Sequence, residues 1–273
     1  MRKAGWAALV FLAAAVGLGF LTLPVVALFT RVPPGELVRL LGNPVVRDAI
    51  VVSLKTTLIA QVLILLFGTP LAYLLATRRF PGRPVLVTLV ELPLVLPPAV
   101  AGIGLLAALG RFGLLGSTLD AFGLHVGFTQ TAVVLAVAFV AGPFYVRTAI
   151  ASFEGVDPNL VAASRTLGAG PARTFFRVAL PLAGSGLAAG EALAFARGLG
   201  EFGATIMFAG SLQGVTQTLP LAIYAQFEAD FDVAVAMGAL LVVVSFALLL
   251  SLKLVFGWQP SQRTSHSVFA RTS

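Results

Sequence analysis

From Ala4 to Thr30 the chain runs without a single Asp, Glu, Lys or Arg. An α-helix rises about 1.5 Å per residue and the hydrocarbon core of a bilayer is about 30 Å thick, so about 20 apolar residues suffice to cross it. This run exceeds that length. It also exceeds the roughly 7–15 apolar residues of a secretory signal, so despite the small residues Ala13-Ala14-Ala15 it predicts a retained first span. Comparable apolar stretches recur at about 50–77, 84–110, 131–151, 178–210 and 233–252. Inside a membrane the backbone has no water to bond, and a helix satisfies its own N–H and C=O groups. The expected fold is therefore an all-α polytopic membrane protein with about six transmembrane helices.

Composition agrees. Only 11% of the 273 residues are charged, against about 25% in soluble domains, and the mean hydropathy is +0.99. No separate soluble domain is evident. With no Cys there is neither a disulfide framework nor thiolate chemistry. A net charge of +7 raises the question of nucleic acid. The basic residues cluster in alternate loops instead, which is the pattern of a membrane protein with cytoplasmic basic loops, and no nucleic-acid partner is expected. With the N-terminus inside, the inner segments hold Arg2, Lys3, Arg78, Arg79, Arg83, Arg147, Arg165, Arg173, Arg177, Lys253, Arg263 and Arg271. The outer loops hold Arg31, Arg39, Arg47 and Arg111. Twelve against four predicts both termini in the cytoplasm of a multi-pass plasma-membrane protein.

The longest polar interruption between two apolar segments is DPNLVAASRTLGAGPARTFFRVALP, from Asp157 to Pro181. Asp157 suits the N-cap of a short helix and Pro158 its first position, where a missing N–H is harmless. Leu160, Val161, Ala163 and Leu167 give that helix an apolar stripe, and Gly168 suits a left-handed stop. Gly170-Pro171 restarts the chain, and Arg165, Arg173 and Arg177 add positive charge. On the inner side of the membrane such an amphipathic helix is a handle for a soluble partner, or a surface helix with no partner.

Ala162-Ala163-Ser164, then Leu167-Gly168, then Leu180-Pro181, resemble the EAA loop of ABC importer permeases. The chain departs at the first letter, with Ala162 where that family often has Glu. LGAG at 167–170, FARGLGEFGAT at 195–205 and ELPLVLPPAVAG at 91–102 resemble the molybdate permeases in particular, and the similarity runs from about residue 50 to 255. The resemblance implies a type I ABC importer permease fold. The chain then divides into a first helix and outer loop (1–49), a permease core (50–255) whose coupling loop spans 152–181, and a cytoplasmic tail (256–273) that its polar composition predicts to be disordered. It implies that Ala162, Ala163, Ser164, Arg165, Leu167, Gly168 and Gly170 dock a separate ATPase subunit, present in two copies. The other implied partners are a second permease copy, an extracellular oxyanion-binding protein and membrane lipid.

Three features lie where a translocation path would run. Pro93, Pro97 and Pro98 break hydrogen bonds in the third apolar stretch, making either a kinked packing helix or a path-lining break; the resemblance favours the path. Glu191, Arg197 and Glu201 place charge within the fifth stretch, where each costs roughly 2.5–3.5 kcal/mol at the bilayer centre. Arg197 and Glu201, four apart, either neutralise each other on one helix face or shape a wet region of the path. Gly198, Gly200 and Gly203 either allow close helix packing or expose N–H groups, beside Thr205, to an oxyanion. The acidic residues Glu228, Asp230 and Asp232 fall in a predicted outer loop, as a docking surface or a solvated one.

Other chemistries are poorly served. There is no GxxxxGK[ST] loop, so ATP and Mg are expected on the partner and no cofactor or catalytic residue in this chain. His125 and His266 are the only histidines and lie far apart in the sequence, so no metal site is expected. The expected function is that of an ATP-driven importer permease for molybdate or tungstate. The alternatives are a sulfate or thiosulfate permease, or an anion carrier or channel working without ATP.

Overall fold

The computed structural model describes residues 2–256. The predicted disordered tail, with Arg263, His266 and Arg271, lies outside the described residues apart from Phe256. Among the described residues there are helices and no strands. They are α1 (Arg2–Arg31), α2 (Pro34–Leu40), α3 (Pro44–Thr77), α4 (Arg83–Val95), α5 (Pro98–Leu109), α6 (Gly116–Ala121), α7 (Gln130–Glu154), α8 (Pro158–Thr166), α9 (Pro171–Thr174), α10 (Leu180–Leu199), α11 (Gly203–Ala209), α12 (Leu219–Ala229) and α13 (Phe231–Phe256). A π-helical turn, Phe175–Ala179, joins α9 to α10 without a break, so one helical rod runs from Pro171 to Leu199. Five helices are long and apolar enough to cross a membrane, and the bent pair α4–α5 makes a sixth crossing if counted as one.

Helix starts follow their caps. α3 begins at Pro44, earlier than the apolar run suggests, because Asn43 Oδ1 accepts the Val45 N–H at 2.9 Å and proline fits the first position. Thr129 caps α7 by accepting the Ala132 N–H. The bundle centre is α7, packed on α3 and α10, with buried Leu75, Tyr145, Phe153, Ala149 and Leu187 between them. A second core joins α5, α7 and α11 around Val133, Val137 and Phe208. A third holds α2, α12 and α13 against the start of α3 around Val46, Leu219 and Met237. Small side chains let these backbones approach, as is common where lipid offers no hydrophobic drive. By contrast the described side chains of α1 are exposed along most of its length, Phe11, Phe20 and Leu23 among them. That surface suits lipid.

The structure revises two expectations. The fifth span does not continue to residue 210: α10 stops at Leu199, Gly200–Phe202 is non-helical, and α11 is a separate short helix. The stretch 211–232 is no open loop. Thr216, Gln217 and Thr218 are buried, the Leu219 N–H donates to Ser53 Oγ at 2.7 Å, and α12 packs beside α13. The acidic residues Glu228, Asp230 and Asp232 are exposed, and Asp230 Oδ1 caps α13 by accepting the N–H groups of Asp232 and Val233.

Candidate functional site: two adjoining helix breaks and an exposed helix at the basic end

The helix breaks come first. Pro97 and Pro98 interrupt the third span as the sequence predicts, and the chain turns through 117° between α4 and α5. Against that turn lies the second break, Gly200–Phe202. A Cβ on Gly203 would stand 2.8 Å from Pro98 Cβ and 3.3 Å from the Ala99 nitrogen, and one on Gly102 only 2.5 Å from the Ala204 carbonyl oxygen. Glycine at these two positions is what lets α5 and α11 touch. Pro97, Pro98 and Gly200 remain exposed. Gly200, unlike Gly203, has no close neighbour beyond its own turn.

The second break is held by charge. Arg197 Nη1 lies 2.7 Å from Glu201 Oε2, an ion pair at an angle outside hydrogen-bond geometry. Glu201 Oε1 accepts the Ala204 N–H at 2.7 Å, so the carboxylate also serves the orphan donors at the start of α11. The predicted pairing therefore exists, although Glu201 stands past the helix end and not on a common helix face. Its side chain is 1% exposed and that of Arg197 29%. Thr205 Oγ1 is buried without a hydrogen-bond partner among the described residues.

Gln61 went unnoticed in the sequence. Both its amide atoms are buried without partners, and Nε2 faces Gly198 of α10. A lone amide inside the apolar run TLIAQVLILLF was the available signal. Glu191 sits about two turns earlier on α10, with Oε2 buried and unpartnered.

The segment Asp157–Pro181 is built as its residues suggest. Asp157 Oδ1 accepts the Asn159 N–H at 2.8 Å, and Pro158 opens α8. Gly168 has φ +82° and stops the helix: its N–H donates to the Arg165 carbonyl and that of Ala169 to the Ser164 carbonyl, both at 3.0 Å, the two bonds of a Schellman cap. No residue of α8 is buried, and Leu167 is 88% exposed. Ser164 lies 3.0 Å from Thr174 Oγ1, fastening α8 to the root of α10. Beneath that root Tyr73, Phe153, Phe175 and Phe176 stack edge to face around the π-turn, and Arg83 of α4 pairs with Glu154 at the end of α7. Ala162, Ala163 and Gly170 are exposed with the rest of the segment. Among the described residues no three His, Asp or Glu side chains gather as metal ligands.

Residues 68–259 match the family described as binding-protein-dependent transport system inner membrane component. The chain belongs to that family. It is 48% identical over 240 residues to a molybdenum transport system permease protein of Mycobacterium tuberculosis, covering 86% of this chain and 89% of that one. It is 43% identical to the corresponding protein of Escherichia coli K12, over 77% of this chain and 92% of the relative. A sulfate transport system permease protein of the same organism is 37% identical, over 78% of each. Among solved structures, a bacterial alginate ABC transporter in complex with an alginate pentasaccharide-bound periplasmic protein has a chain that aligns with a TM-score of 0.71 at 21% identity, over 93% of this chain and 94% of that one. At that identity the likeness concerns the fold, which is the type I importer permease fold that the resemblance implied.

Proposed function

We propose that this chain is the membrane-spanning permease of an ATP-driven importer for molybdate or tungstate, working as a homodimer with two copies of a separate ATPase. The observation that carries the permease reading is the capped helix α8 at the basic end of the bundle, none of whose residues is buried. It is rigidly fastened to α10, whose other end carries the break at Gly200–Phe202. A push on α8 is thereby carried along one rod, Pro171–Leu199, to the residues beside Pro98. Exposed non-helical backbone at membrane depth is tolerated only where it lines protein or water. Pro97, Pro98, Gly200 and Gly203, with Arg197, accordingly form the wall of the path, and the buried Glu201 and Thr205 back it. Arg197 supplies the one charge there that attracts an anion. The paired Glu201 keeps that attraction weak, so solute passes and is not captured.

Without a phosphate loop of its own the chain draws ATP and Mg from its partner. A binding protein on the outer side delivers the oxyanion. The orientation is N-terminus and C-terminus inside, with α8 in the cytoplasm. The molybdate preference rests on identity with molybdenum permeases across most of the chain. Sulfate is the second reading, favoured by the 37% identical sulfate permease. Reconstituted in lipid with its ATPase and a loaded binding protein, the complex is expected to hydrolyse ATP faster with molybdate or tungstate than with sulfate at equal concentration. The permease alone is expected to hydrolyse none. Equal stimulation by sulfate overturns the substrate assignment.

A further inference from the structure

Between α8 and the bundle lies a cavity of about 620 Å³, walled by the ends of α3 and α7, the loop before α4, and the inner face of α8. Three guanidinium groups line it, those of Arg79, Arg83 and Arg165, together with one carboxylate, Glu154. Glu154 is engaged by Arg83. Arg79 and Arg165 have no carboxylate within 4.0 Å among the described residues. Ala162 also lines the cavity, and its methyl group adds no charge to offset the arginines. The site is thus a preformed pocket with two spare forked donors, the geometry that takes a carboxylate in a bidentate grip.

We propose that this cavity receives an acidic side chain of the ATPase partner, gripped by Arg79 and Arg165. The inference rests on the reading of α8 as the ATPase-docking helix and adds the charge sense of the contact. The permease supplies the cations, from both the docking helix and the bundle behind it, and the ATPase supplies the carboxylate. Because Arg79 sits in the loop between α3 and α4 and Arg165 on α8, one carboxylate between them ties the docking helix to the bundle whenever the ATPase is bound. An acidic surface on the ATPase meeting this basic one also steers their encounter, which makes the association sensitive to salt.

The test is retention of the ATPase by the detergent-solubilised permease at rising salt. Wild-type retention is expected to fall with salt. Arg79→Ala with Arg165→Ala is expected to weaken it roughly fivefold to tenfold at low salt and to flatten the salt dependence. Arg79→Lys with Arg165→Lys keeps the charge but loses the fork, and is expected to recover the salt dependence and part of the affinity. In the absence of native Cys, a single Ala162→Cys carrying a photoactivatable cross-linker is expected to mark an Asp- or Glu-containing segment of the ATPase. Unchanged retention and salt dependence in the double alanine variant overturns the proposal. Loss of co-purifying phosphatidylglycerol in that variant with ATPase retention intact also overturns it, and gives the cavity to a lipid headgroup. Failure of the wild-type permease to retain ATPase at any salt, with the variants normally folded, overturns instead the reading of α8 on which the proposal stands.

Discussion

Among the described residues Glu201 is the one fully buried charged side chain. It has two duties, the ion pair with Arg197 and the acceptor role for Ala204 N–H. Removing one member of a buried pair strands the other, at about 3 kcal/mol or more. Arg197→Ala and Glu201→Ala are each expected to lower membrane yield, Glu201→Ala more, because it also frees the α11 donor. Glu201→Gln retains an oxygen for Ala204 and is expected to sit between wild type and alanine. The double alanine variant is expected to recover part of the yield over Glu201→Ala, with uptake still impaired. Yield and oxyanion uptake of the four variants check this, and normal yield in Arg197→Ala would mean that the pair does not hold the break. The i, i+4 spacing made the pairing legible in the sequence. The second duty was not, since it depends on α10 ending at Leu199 and on where Ala204 then points.

At the scale of the element, α8 shows how closely local chemistry can dictate a shape. Its cap, its proline and its glycine stop all form as their residues suggest, because each acts over fewer than six positions of chain. A Cβ on Gly168 meets nothing within 4 Å, so Gly168→Val suffers from its φ of +82° alone, a strain of about 1–2 kcal/mol confined to the turn. The spans are expected to insert normally while ATPase retention and transport fall; full retention of both would remove α8 from the coupling role. Ser164 is different. On sequence it reads as a replaceable surface residue, yet its hydroxyl is the partner of Thr174, which is fully buried. Ser164→Ala leaves that hydroxyl unpaired, at about 1–3 kcal/mol. It is expected to loosen α8 from α10 and to reduce the molybdate stimulation of ATP hydrolysis while ATPase binding persists.

At the scale of the molecule, the asymmetry of Lys and Arg predicts the orientation, and the absence of native Cys makes it directly testable. Phe112, 99% exposed, precedes the 25-residue span α7, and Leu167, 88% exposed at the end of α8, follows it. Phe112→Cys is expected to react with an impermeant thiol reagent added to intact cells, and Leu167→Cys only after the membrane is opened. The reverse pattern would invert the topology. The helical nature of the spans and the approximate place of each were determined by the sequence by itself, because a bilayer imposes a minimum length and a self-bonded backbone on any segment that crosses it; where α3 begins and α10 ends was not. Caps and pairs within one turn were determined there too. What only the tertiary structure decided is where two distant breaks meet, and that Gln61, Thr205 and Glu201 are enclosed while Gly200 is open. Residues 216–222 became largely buried turn and helix for a similar reason, their backbone and apolar side chains finding Ser53 and α13. These outcomes depend on contacts between segments far apart in the chain, and a local pattern of residues carries no record of which distant backbone will arrive beside it.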